Sequence, residues 1–327
     1  MKYHTSTRKT NTYWQISFII ILYACCIFQI WNFKHDGQGL WINTLLPALN
    51  ITHFGFKLAT SILLLINALL ATLFLRRFSL IEIRNHYPTI LYLLFSFTFS
   101  HTLNFWGVVT ASFFILLMLP LLVDLKEDNI LSNSFIYGLC CGVLSLLYIP
   151  FILLLPLVYV IAINKRLYAF RVFILPIIGM CIAYIYLFTV FYLFDNLDIV
   201  LHFSTTLKLQ ADSINFFMDI GKMPVFLIIS VVIGCVSFFN ILQKAGNVVV
   251  NKRKKQQILL FVLFTQAVIA LFFNPPYGLF GQIMIVLFAI ALSLSTLYTN
   301  KKTVFKIIFF ILFIMAFYVN FVIGMLL

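Results

Sequence analysis

Asp36, directly after His35 and just beyond the first long apolar run, is the residue best placed to do chemistry. A carboxylate there can act as a catalytic base, taking a proton from an acceptor hydroxyl at the edge of an apolar medium. The neighbouring residues suit that role: Gly37-Gln38-Gly39, and then Leu40-Trp41-Ile42-Asn43-Thr44-Leu45-Leu46, whose aromatic and aliphatic side chains fit a short helix lying at a membrane interface. A second polar stretch, residues 195 to 222, offers Asp195, Asp198, His202, Lys208, Asp212 and Asp219. Of the residues in these two stretches, His35, Asp195, Asp198, His202 and Lys208 are the expected substrate-binding groups, suited to holding a phosphate or an acceptor. The competing reading makes Asp36 a solvated loop charge beside Lys34, and His35 and His202 ordinary loop histidines.

The elements that must position these residues are set by composition and charge. Hydrophobic residues make up 63% of the 327 and charged residues 9%, too little polar surface for a soluble domain of this length. All nine carboxylates lie outside the long apolar runs. The cations gather in alternate gaps: Lys2, Arg8 and Lys9; Arg76, Arg77 and Arg84; Lys126; Lys165, Arg166 and Arg171; Lys244 and the 252–255 run; Lys301, Lys302 and Lys306. With those gaps in the cytoplasm, only Lys34, Lys57, Lys208 and Lys222 remain outside, the bias that membrane insertion imposes. The net charge of +13 is therefore a topology signal spread over short loops, and nucleic acid is excluded as a partner because no single basic face collects it.

A span needs about 20 apolar residues. Residues 14 to 32, 57 to 75, 172 to 194, 223 to 242, 257 to 273, 278 to 298 and 304 to 325 meet this. Two longer runs, 87 to 123 and 130 to 163, would each extend to about 50 Å as one helix, well beyond the hydrocarbon thickness. Each is expected to be a tight hairpin, broken at Asn104-Phe105-Trp106-Gly107 and at Tyr148-Ile149-Pro150. The fold class is thus an all-α polytopic transmembrane bundle of about eleven spans in a single domain over residues 1 to 327, with the N-terminus cytoplasmic and extracytoplasmic loops at 33 to 56 and 195 to 222. About nine spans would result if each long run crossed once, which would put Asp124-Leu125-Lys126-Glu127-Asp128 outside. The first span is read as an uncleaved signal anchor, since no small-x-small site comes after it.

An acid just beyond the first span, followed by an interfacial helix, is the arrangement expected of membrane glycosyltransferases that use polyprenyl-phosphate sugar donors. The expected partners are then membrane lipids, among them a polyprenyl-phosphate lipid. No cofactor or metal is expected: the chain has no DxD motif, and Cys25, Cys26, Cys140, Cys141, Cys181 and Cys235 lie in apolar runs without metal-ligand spacing. The alternatives are a non-catalytic subunit packed against membrane-protein partners in an envelope assembly, and a transporter of lipid or small solutes with a polar cavity lined by Gln266 or Gln282. Transport is the weaker of these, because the inner spans hold no ionisable group and residues such as Asn67, Thr189 and Asn320 more often bond neighbouring helices.

Two stretches carry a resemblance. Phe135-Ile136-Tyr137-Gly138, continuing through Gly142 to Ser145-Leu146-Leu147-Tyr148-Ile149-Pro150, and then Phe170-Arg171 followed by Pro176-Ile177-Ile178-Gly179, resemble an uncharacterised polytopic inner-membrane protein family of Bacteroidota. The resemblance implies a cell-envelope protein of the inner membrane and carries no active-site residues. Read physically, Gly138 and Gly142 make a small-x-x-x-small face for close helix packing.

Overall fold

The computed structural model describes residues 3–32, 53–77, 86–99, 105–147, 149–167 and 170–193, with isolated positions between 255 and 311. An apolar solvent leaves backbone N–H and C=O groups no partner but each other, so an apolar run closes into a helix. Seven α-helices result among the described residues: α1 Tyr3–Asn32, α2 His53–Arg77, α3 Tyr87–Phe99, α4 Phe105–Val123, α5 Ile130–Leu147, α6 Leu155–Asn164 and α7 Phe170–Leu193. Two 3₁₀ segments, Glu127–Asn129 and Ile149–Leu154, precede α5 and α6, and no strand occurs among these residues.

Three of the helices are long and apolar enough to cross a membrane, over Lys57–Arg77, Ile130–Leu147 and Phe170–Leu193. At about 1.5 Å per residue they reach roughly 27 to 36 Å, against about 30 Å of hydrocarbon. Gln15–Trp31, Val109–Val123 and Phe151–Asn164 are shorter apolar segments.

The second long run breaks where the sequence interrupts it, whereas in the first Phe105, Trp106 and Gly107 of the expected break already lie in α4 and Asn104 lies outside the described residues. The first divides between Phe99 and Phe105, and the second leaves α-helix after Leu147. Their packing differs from tight hairpins. In the first run α3 packs on α1 and α2, while α4 packs on α2 and α5, so α2 is the neighbour the two halves share. Asn67 of α2 bridges the two halves, its Nδ2 donating to Tyr92 Oη of α3 at 3.1 Å and to Val109 O of α4 at 2.8 Å. In the second run the returning limb meets α5 chiefly through its 3₁₀ segment, where the Tyr137 hydroxyl donates to the Leu154 carbonyl. A 3₁₀ helix rises about 2.0 Å per residue, so this segment and α6 together could reach roughly 27 Å with few residues.

Among the described helices the most extensive packing joins α5 to α7. Facing positions rise together along both helices: Gly138 meets Pro176, Gly142 meets Met180 and Ala183, and Ser145 Oγ lies 2.9 Å from Tyr184 Oη. These helices are therefore parallel, and residues 149 to 167 return the chain from the far end of α5 to the start of α7.

Polar contacts mark the two ends. At one, Arg77 Nη2 meets Asp124 Oδ2 at 3.0 Å, and Lys165 Nζ donates to the carbonyls of Leu122, Val123 and Leu125 at 3.2, 2.8 and 3.0 Å. A cation there satisfies the last carbonyls of α4 and complements its dipole. At the other end, Lys57 Nζ donates to Trp31 O at 2.8 Å, and the Trp31 and Phe54 rings meet edge to face at 5.2 Å.

Candidate functional site

Asp36, His35, Asp195, Asp198, His202 and Lys208 all lie outside the described residues, as do Gln266, Gln282 and Asn320. Three groupings of side chains among the described residues remain to be weighed as sites.

The first is the cationic end. The carboxy-terminal turn of α2 delivers Arg76 and Arg77, the start of α3 is flanked by His86, and the α4–α5 connection carries Asp124 and Lys126. Arg76 Nη2 lies 3.2 Å from His86 Nδ1 and 3.1 Å from Nε2, and the His86 backbone N–H donates to Gln15 Oε1 of α1 at 3.3 Å. Burial, and then the neighbouring Arg76 charge, lower the His86 pKa below its usual 6.5. The ring is therefore neutral at pH 7 and keeps one nitrogen able to accept from the guanidinium. Beside this cluster a cavity of about 330 Å³ opens between α2, α4 and α5. Arg77, Asp124, Asn129 and Asn133 are its polar lining residues, and Leu117, Leu121, Ile136 and Cys140 are among its apolar ones. The connection is braced by Lys126 N donating to Asn129 Oδ1 at 3.1 Å. After α6 the chain turns through Arg166 at φ 61°, with Arg166 N bonded to Ile163 O at 3.0 Å and Leu167 N to Ala162 O at 2.9 Å. That is a Schellman ending with arginine at the left-handed position that glycine usually holds.

The second grouping is the buried polar junction of α2, α3 and α4. Asn67 is fully buried and spends both amide hydrogens on the neighbouring helices. The Thr72 and Thr89 hydroxyls bond each other, and Thr89 Oγ1 also lies 3.1 Å from Ala68 O. Asn67 Oδ1 and Ser96 Oγ are buried without a hydrogen-bond partner. No Asp, Glu, Lys, Arg or His stands between Lys57 and Arg76 of α2 or within α3 and α4, so this junction ties helices together and offers no charge relay. Thr189, by contrast, bonds Ile185 O of its own helix at 2.8 Å.

The third is the α5–α7 crossing, which unites the two motif stretches of the sequence. A Cβ on Gly138 would collide with the Pro176 carbonyl, and one on Gly142 would stand 2.6 Å from Ala183 Cβ and 2.9 Å from Met180 O. A Cβ on Gly179 would run into the backbone of Phe135 and stand 2.9 Å from Leu139 N. Tyr159 of α6 secures the seam from the side, donating to Phe173 O at 3.0 Å and stacking on its ring at 5.4 Å. Apart from the Ser145 and Tyr184 hydroxyls, which bond each other, the described part of this crossing is packing.

Cys25, Cys26, Cys140, Cys141 and Cys181 are free thiols, and among the described residues no three His, Cys, Asp or Glu converge to hold a metal. The reading of the sequence missed the Arg77–Asp124 pair and its cavity as a site. The available signal was an acid, Asp124, in a gap flanked by apolar runs whose neighbouring gaps are basic. No family model, curated protein or solved structure matches the chain.

Proposed function

We propose a multi-pass inner-membrane protein of the cell envelope, with about eleven spans and a cytoplasmic N-terminus, that transfers sugar from a polyprenyl-phosphate donor on the outer side of the membrane. The observation that carries the topology is that Arg77, Asp124 and Lys165 meet at one end of the helices. An arrangement with residues 87 to 123 crossing once would put Arg77 and Asp124 on opposite sides of the bilayer, where about 30 Å would separate groups that form an ion pair. The parallel course of α5 and α7 supports a return crossing between them in the same way.

In this topology α1 ends and α2 begins at the end away from Arg77, Asp124 and Lys165. There Trp31, Phe54 and Lys57 tie α1 to α2, and the chain between Asn32 and His53 contains His35 and Asp36. In the proposed mechanism Asp36 takes the proton of the acceptor hydroxyl as that oxygen attacks the sugar, and the polyprenyl phosphate leaves with its tail still in the bilayer. His35, Asp195, Asp198, His202 and Lys208 hold the phosphate and the acceptor.

A non-catalytic subunit of an envelope assembly is the second reading. It is favoured by the outer face of α7, where Phe170, Ile185, Tyr186, Tyr192 and Leu193 stay exposed and could meet a partner helix as readily as lipid. The deciding experiment compares wild type with Asp36→Asn, scoring co-purifying polyprenyl lipid by native mass spectrometry and the envelope glycan of the host. The transferase reading predicts a bound polyprenyl lipid in both proteins and loss of the glycan in the variant. An unchanged glycan, no such lipid and a stoichiometric protein partner would replace it with the subunit reading.

A further inference from the structure

The cavity between α2, α4 and α5 joins an ion pair to apolar walls. Its mouth holds a complete ion pair, Arg77 and Asp124 at 3.0 Å, with the arginine side chain 70% exposed and the aspartate 31%. Its walls are apolar and run toward the bilayer: Leu121 and Leu117 continue from Asp124 along α4, and Ile136 and Cys140 continue from Asn133 along α5. Seven residues of helix on each wall give a groove roughly 10 Å deep. Ile136, 41% exposed, lies at its open side.

We propose that this groove seats one phosphatidylethanolamine molecule of the surrounding bilayer, its phosphate on Arg77, its ammonium on Asp124 and the upper part of one acyl chain against Leu117, Leu121 and Ile136. Charge complementarity selects this occupant. A purely anionic head meets the Asp124 carboxylate beside its arginine, and a purely cationic head meets Arg77 beside its aspartate. A zwitterion laid head to tail against the pair satisfies both charges at once. The guanidinium fork suits a phosphate, and the carboxylate has room for an ammonium donor. Asn129 and Asn133 add neutral polar groups at the mouth. The inference goes beyond the transferase reading and does not depend on Asp36, since the groove lies at the opposite end of the helices from the α1–α2 connection.

The general cationic character of this end, with Arg76, Lys126, Lys165 and Arg166 nearby, makes the opposite expectation available: basic clusters at a membrane surface attract anionic lipid. The two are separated by incubating the purified full-length protein with equimolar phosphatidylethanolamine and phosphatidylglycerol of identical acyl chains, then counting retained lipids by native mass spectrometry. Wild type retains phosphatidylethanolamine over phosphatidylglycerol by about fivefold, the selectivity of one partly exposed charge pair. Asp124→Asn reverses the order, because Arg77 then faces the phosphate without a competing carboxylate. Leu121→Trp, which fills the groove and leaves the pair intact, loses both lipids. Equal retention by wild type, a preference for phosphatidylglycerol, or a preference that Asp124→Asn leaves unchanged overturns the proposal. Wild-type selectivity decides the matter by itself if Leu121→Trp does not purify as a folded protein.

Discussion

Where α5 meets α7, glycines strip side chains from the contact and bring backbone against backbone; where α2 meets α3 and α4, one asparagine reaches out to both neighbours. The contrast reflects the solvent. Lipid tails are as apolar as leucine, so burying leucine between helices gains little, and association must come from close packing or from hydrogen bonds. The seam uses the first, multiplying weak dispersion contacts over a long parallel crossing. The junction uses the second, at the cost of leaving Asn67 Oδ1 buried and unpartnered. A shape-based contact should tolerate no added volume, whereas a bond-based contact should lose only its bonds.

The largest effect is therefore expected at the seam. Gly138→Leu, whose side chain must displace the Pro176 backbone, should destabilise by about 3 kcal/mol or prevent folding, at the upper end of what overpacking costs. Gly142→Ala, facing the Ala183 methyl, should cost about 1 kcal/mol. Unfolding titrations in mixed micelles would read both, and equal tolerance of the two substitutions would refute a backbone-limited crossing.

At the junction, Asn67→Leu removes two interhelical bonds worth about 0.6 kcal/mol each in a membrane setting and also removes the orphaned carbonyl. The net loss should be about 1 kcal/mol or less. A loss larger than that of Gly138→Leu would invert the comparison.

The smallest effect lies outside both contacts, at His86. Its pKa is lowered in the folded protein, so the unfolded chain binds the proton more readily and folding stability rises with pH through this window. The contribution of His86 is complete above pH 6.5 and is lost as pH falls through the folded value, when two cations are forced together. His86→Gln should flatten the acid limb of a pH–stability profile, and an unchanged limb would remove the burial of His86 beside Arg76 as a source of acid sensitivity.

The sequence shows these features unevenly, for physical reasons. Helix positions come directly from apolar runs, and Ile149-Pro150 marks the second break, while Phe105 to Gly107, read as a break for their polar and glycine neighbours, continue as the first turn of α4 because a single glycine does not stop a helix. The small-residue seam is readable on α5, where Gly138 and Gly142 are four apart and so share a face. Its partner surface around Pro176 and Gly179 is paired with it only by the fold. Nothing local says that Asn67 bonds Tyr92 and Val109, or that Lys165 reaches the last carbonyls of α4, since both depend on segments distant in the chain. The candidate catalytic group, Asp36, was legible as an acid beyond a span, but its surroundings fall outside the described residues.

Topology is the claim on which the rest depends, and it is tested most directly by single cysteines labelled with a membrane-impermeant maleimide before and after opening the cells, against the background of the wild-type thiols. Lys126→Cys and Arg166→Cys should be protected in intact cells and react only on lysis, while Lys34→Cys should react in intact cells. Labelling of Lys126→Cys in intact cells, with Arg166→Cys still protected, would separate Asp124 from the cationic end and contradict the account.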